Sequence, residues 1–185
     1  MLEQSKEKII LLKKDNFNQT QATAVGLSQE SGKLGLRLPA GAKNKLAQNL
    51  DFFKILEVSL AGRSNNKTIT SIKVVRNFSS LKRNSEKINQ GYYLLELTDS
   101  LLTWGDPVRD VFDLLIKSLS IINKQKLNLF LSLVFSLKLL KLLGFLDQTK
   151  IKKSVLADYK RFKKLVKQEL DRVLEKELNT WQFLE

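Results

Sequence analysis

The sequence predicts an α+β protein, with a small five-stranded barrel at the front and an all-helical part behind it. Three observations lead there. Up to Phe78, apolar residues alternate with polar ones, the period of strands with one wet face. Beyond Phe78 they recur at three- and four-residue steps, the period of helices with one buried stripe. Turn-forming residues cut the front portion into five runs.

The first run is the short apolar stretch 9–12, closed by the turn signal Asp15, Asn16, Phe17, Asn18. The second, 20–27, carries β-branched residues suited to a pleated surface. Glu30, Ser31 and Gly32 end it. In the third, Leu34, Leu36 and Leu38 alternate with Lys33, Gly35 and Arg37, and Pro39, Ala40 and Gly41 turn the chain away. A short helical piece is expected over 43–50. Leu56, Val58 and Leu60 mark the fourth strand, the segment 62–66 a loop, and 68–75 the fifth strand. Five strands with a helix between the third and fourth is the order of an OB-fold barrel. A barrel of SH3-like type gives a similar string, and the pattern alone leaves both open.

Behind Phe78, the stretch 85–103 places Ile88, Tyr92, Leu95 and Leu102 at helical steps. Asp106 and Pro107 suit a helix start, the carboxylate as a cap and Pro at the first helical position. Val108, Val111, Phe112, Leu115, Leu119 and Ile122 then form one stripe. The stretch 126–143 is apolar nearly all round, so it is expected at the centre, with Gly144 stopping it in the left-handed conformation. A last helix is expected over 152–179. The expected domains are therefore 1–78, an OB-fold nucleic-acid-binding domain, and 79–185, a helical domain of about four helices.

The chain of 185 residues carries 32 Lys and Arg against 19 Asp and Glu, a formal charge of +13. Residues 1–78 hold 13 basic and 6 acidic residues, 79–148 hold 9 and 7, and 149–185 hold 10 and 6. The excess therefore sits on the barrel and the last helix. Such a balance favours a polyanionic partner, either nucleic acid or an acidic protein tail. With no Cys and no His, thiol nucleophiles, disulfides, the usual zinc ligands and the usual neutral-pH base are excluded. No cofactor is expected. Residues 1–6 are polar and show no apolar signal core, and the apolar run 129–137 is far short of the ~20 residues of a membrane span. A cytoplasmic protein without membrane partners is expected.

The candidate DNA-binding residues are Lys33 and Arg37 on the wet face of the third strand, Lys43 and Lys45 after the bend at Gly41, and Arg63 and Lys67 around the loop between the last two strands. OB barrels bind single strands across their middle strands, between two loops, by pairing backbone-tracking cations with stacking aromatics. The cations are present. The aromatics are scarce: Phe17 is the plausible stacker, with Phe52 or Phe53 behind it. Binding led by phosphates, sensitive to salt and poor in sequence preference, is expected. Any one of these lysines can equally be an ordinary solvated side chain. On the last helix, Lys153, Lys160, Lys164 and Lys167 share roughly one face. They suit an extended DNA path, an acidic peptide, or no partner at all. Asp106, Asp110 and Asp113 form a carboxylate cluster, which capping and helix-dipole complementarity explain more simply than a metal site. No phosphate-binding Gly-rich loop and no nucleophile motif occurs.

The order of short segments resembles the RecO family of DNA repair proteins. The resemblance runs through Glu30 to Leu34, Ala40 to Lys43 and Leu46 to Phe53, then Gly62-Arg63 with Lys67, Thr68 and Ile69. It continues through Tyr92 to Leu97, Val111 to Leu115, Leu139 to Phe145, and the tail from Glu177 to Leu184. The chain departs from the family pattern at Ala40, where a Lys is usual, and at Phe52, where a Pro is usual. The family's four-Cys zinc module is missing after Phe145, so no zinc is expected. The resemblance implies a recombination mediator that is not an enzyme. Such a protein binds single- and double-stranded DNA, anneals strands, engages the single-strand-binding protein, and acts with a RecR-type partner to load recombinase. A protein-interaction adaptor that binds acidic tails, with weak nucleic-acid affinity, is the alternative.

Overall fold

The structure is a computed structural model and describes residues 4–17, 22–38, 46–62, 64–125, 128–146 and 158–184. Its front half has five strands: β1 (Gln4–Phe17), β2 (Ala22–Ser28), β3 (Gly32–Leu38), β4 (Lys54–Ala61) and β5 (Asn66–Asn77). They close into a barrel in the order β1-β2-β3-β5-β4. All neighbours are antiparallel except β3 and β5, which pair in parallel from Gly35↔Asn66 to Arg37↔Thr68. This closed order is that of the OB-fold, which decides the choice that periodicity leaves open.

β1 makes the closure possible. Its first part pairs with β4 from Gln4↔Ala61 to Ile10↔Ile55, and its second with β2 from Ile9↔Ser28 to Phe17↔Ala22. Register shifts between Leu11 and Lys13 and between Lys14 and Asn16 add the local twist such bending needs. The strand is far longer than the apolar run 9–12, and Asp15, Asn16 and Phe17 belong to it rather than to a turn. The run is hard to see in sequence because Glu7 takes an inward position, ahead of Ile9 and Leu11.

The alternating leucines of β3 and β4 point inward as expected. Leu34, Leu36, Leu38, Leu56, Val58 and Leu60 join Ile9, Leu11 and Ile69 in one buried cluster. Leu50 is buried against the same cluster. Of the helix expected over 43–50, Leu46 and Ala47 are helical and 43–45 lie outside the described residues.

Behind the barrel follow α1 (Ser85–Leu101), α2 (Arg109–Lys124), α3 (Leu129–Leu142) and α4 (Tyr159–Val173), with single 3-10 turns at Leu81–Arg83 and Trp181–Leu184. The chain divides into two compact units. One holds Met1–Ser79 with Leu102–Phe112, the other Ser80–Leu101 with Asp113–Glu185. In the second unit α3 packs against both α1 and α4, matching its apolar composition. Asn128 caps α3 by accepting a hydrogen bond from the Phe130 N–H. Gly144, at φ 77°, ends it: the Gly144 and Phe145 N–H groups donate back to Lys141 and Leu140 carbonyls, a Schellman motif.

Two expectations for the helices need correction. α2 starts at Arg109, not at Pro107, and the Asp106 carboxylate accepts from the Thr103 hydroxyl. α4 stops at Val173, not at Asn179. The Glu96 carboxylate on α1 accepts hydrogen bonds from the backbone and side chains of both Asn179 and Thr180. Those N–H groups are thereby held outside any helix, and Leu178, Trp181 and Leu184 are buried beside them.

Candidate nucleic-acid interface

The outer face of β2 and β3 forms the floor of a groove. Strand register sets Thr23 opposite Arg37 and Val25 opposite Gly35, with Asn66 of β5 on the far side of Gly35. A Cβ on Gly35 would stand 2.0 Å from Asn66 Oδ1, so glycine lets the Asn66 side chain lie across the strand. Asp15, Thr23, Gly35, Arg37, Asn66 and Trp104 line a cavity of about 250 Å³ here. Arg37 is exposed in it. The Asp15 carboxylate is paired with Lys13 at 2.9 Å, which offsets its charge.

Trp104 comes from the segment that follows α1 and belongs to the barrel unit. That segment runs parallel to the start of β3: Lys33 bridges to Trp104, and the Gly105 N–H donates to the Lys33 carbonyl at 3.0 Å. Gly32 is what allows the approach. Its φ is +69°, and a Cβ there would meet the Asp106 carbonyl oxygen at 1.9 Å. The indole of Trp104 is left 50% exposed.

The same segment corrects the reading of Lys33. Its side chain is not on a wet face; Lys33 is 8% exposed. Its ammonium donates to the Leu102 carbonyl at 3.3 Å and lies 4.9 Å from the centre of the Trp104 ring. Lys67 is also committed within the barrel. It is paired with Glu7 Oε1 at 3.1 Å. Glu7, 4% exposed, accepts further hydrogen bonds from the hydroxyls of Ser5, Ser28 and Ser31. Burial pushes its carboxyl upward, but these hydrogen bonds and Lys67 outweigh that and hold it below the ordinary value.

Of the six barrel cations proposed from sequence, the structure therefore brings Arg37 to the groove and turns Lys33 and Lys67 to internal contacts. Lys43, Lys45 and Arg63 lie outside the described residues. So does the ring of Phe17. Phe53 is buried, and Phe52 is half-buried with the Lys14 ammonium 5.3 Å from its ring centre. Sequence reasoning missed Trp104, because it sits in a segment read as the link between two helices. The pair of glycines Gly32 and Gly105 flanking the contact was the available signal.

On α4, Lys160 and Lys164 are exposed, whereas Lys167 bridges Asp171 at 2.9 Å and Glu177 at 2.7 Å. Lys153 lies outside the described residues. Among the described residues no three acidic or other ligating side chains gather to hold a metal, the Asp106, Asp110 and Asp113 set included. No helix of the described residues is long and apolar enough to cross a membrane.

Comparison with known proteins gives two kinds of match. Residues 84–148 match the family model described as Recombination protein O C terminal. The chain is also similar to two proteins called DNA repair protein RecO. The one from Rhodopirellula baltica is 26% identical over 140 residues, 73% of this chain and 52% of that protein. The one from Caldicellulosiruptor bescii is 28% identical over 148 residues, 77% of this chain and 59% of that protein. The matched stretch thus spans little more than half the length of either relative.

Proposed function

The chain belongs to the RecO family of DNA repair proteins, and from that premise we propose that it is a DNA-binding recombination mediator. Its barrel groove would take the backbone of a DNA strand and hold it for annealing and for recombinase loading. The observation that carries this reading is the exposed guanidinium of Arg37 on the open face of β2 and β3, beside a cavity bounded by β1 and β5. A guanidinium presents a planar fork of donors that matches a phosphate, and an OB barrel offers this face to single strands. Lys43, Lys45 and Arg63 are proposed, from the sequence alone, as further phosphate contacts.

Annealing requires no catalytic group. A cationic surface screens the repulsion between two phosphate backbones, and sequence-tolerant contacts let strands slide into register. The protein is accordingly proposed to be no enzyme. Single- and double-stranded DNA are its proposed ligands, and the single-strand-binding protein and a RecR-type protein its proposed partners. The exposed Lys160 and Lys164 of α4 offer a second basic face, for DNA or for an acidic peptide.

A strand-annealing assay, with and without single-strand-binding protein, tests the proposal. Acceleration of annealing by the wild-type chain, diminished by Arg37→Ala, is the expected result. A chain that leaves the annealing rate at its spontaneous value overturns it.

A further inference from the structure

The reading of the groove as a DNA site leaves open what distinguishes a single strand from a duplex there. Phosphate contacts do not, because both present the same backbone. Trp104 does. It is a large apolar ring, 50% exposed, at the edge of a cavity that also holds the exposed Arg37. The ring is fixed rather than loosely appended: the Lys33 bridge and the Gly105 N–H bind its backbone to β3, and the Lys33 ammonium sits 4.9 Å from its centre. Gly32 gives up its side chain to let this segment lie so close. A ring already held in place loses little further freedom when a flat partner stacks on it. The cavity, at about 250 Å³, is smaller than the roughly 300 Å³ at which drug-sized sites begin, and suits one flat ring.

We propose that Trp104 is a base-stacking platform, on which one unpaired nucleobase lies while Arg37 holds a neighbouring phosphate. The inference rests on the groove being a DNA site. It makes the groove selective for single strands, since bases in a duplex already stack on each other and offer no free face. It also gives the buried Lys33 a function: covered on the outer side of β3 by the segment 102–105, it holds the indole in place as a positioning residue.

The test uses the full chain with three oligonucleotides of one length: single-stranded thymidine, the same backbone made abasic, and a duplex. Intrinsic fluorescence and labelled-DNA anisotropy are read together. Trp181, the other tryptophan, is 7% exposed, so a ligand in the groove should report through Trp104. Thymidine binding is expected to quench the wild-type emission. Trp104→Ala should abolish that quenching and weaken thymidine binding by about tenfold or more, with duplex affinity unchanged. Trp104→Phe, which keeps an aromatic face, should retain most of the affinity. The abasic strand should bind the wild type about as weakly as thymidine binds Trp104→Ala. Equal binding of abasic and thymidine strands by the wild type, or unaltered thymidine affinity in Trp104→Ala, overturns the stacking role and leaves the groove a phosphate site. If the wild type binds none of the three, the DNA reading of the groove falls, and the stacking role falls with it.

Discussion

Arg37 and Glu7 show how one side chain's surroundings decide its use. Both are charged residues on barrel strands, yet Arg37 is exposed while Glu7 is enclosed by Ser5, Ser28, Ser31 and Lys67. Replacing Arg37 with Ala should weaken DNA binding and lower the steepness of its salt dependence by about one phosphate's worth, leaving the melting temperature unchanged. Parallel salt titrations of the two proteins check this. Glu7→Gln leaves the Lys67 ammonium without a counter-charge in a largely enclosed site, and should cost roughly 1–3 kcal/mol of stability at neutral pH. The folded state holds the Glu7 carboxyl below its ordinary value of 4.5. Its stabilising contribution is therefore complete above that value and is lost as pH falls through the lower, folded-state value. The gap in melting temperature between wild type and Glu7→Gln should close below about pH 4.5; a gap constant with pH would refute the assignment.

At the scale of elements, the structure turns on segments docked by small or polar residues. In Gly32→Ala the new Cβ would collide with the Asp106 backbone and would need a φ near +69°. The segment carrying Trp104 should then come away from β3, shifting tryptophan emission toward that of a solvated indole. Glu96→Ala removes the acceptor shared by Asn179 and Thr180. Faster hydrogen exchange at the amides of Asn179 and Thr180 is expected, with α1 retaining its protection. These elements also show what the sequence makes legible. β3, β4 and α3 could be read because each keeps one period and buries one face or nearly all of them. β1 could not, since a polar Glu7 occupies an inward position and the strand bends between two partners. The end of α4 could not either, because the group that claims its would-be helical N–H groups lies far away in the chain, on α1.

For the whole molecule, a charge of +13 favours a polyanionic partner, and the closed barrel presents an outer face on β2 and β3 that carries the exposed Arg37. Net charge could not show which cations are free, because Lys33 and Lys67 are spent on a carbonyl and a carboxylate reached only through folding. Nor could it show Trp104 at the groove, since that placement requires the chain to return to β3 after α1. The charge carried on the barrel should still make binding fall steeply with salt, by counterion release. Most direct is an anisotropy titration of a labelled single-stranded oligonucleotide with the wild-type chain and with Arg37→Ala, repeated across a range of salt concentrations. Tight binding at low salt, a steep decline as salt rises, and a weaker and shallower response in Arg37→Ala are expected. An oligonucleotide that stays unbound at low salt, or one that Arg37→Ala binds identically at every salt, would contradict a DNA site on this face of the barrel.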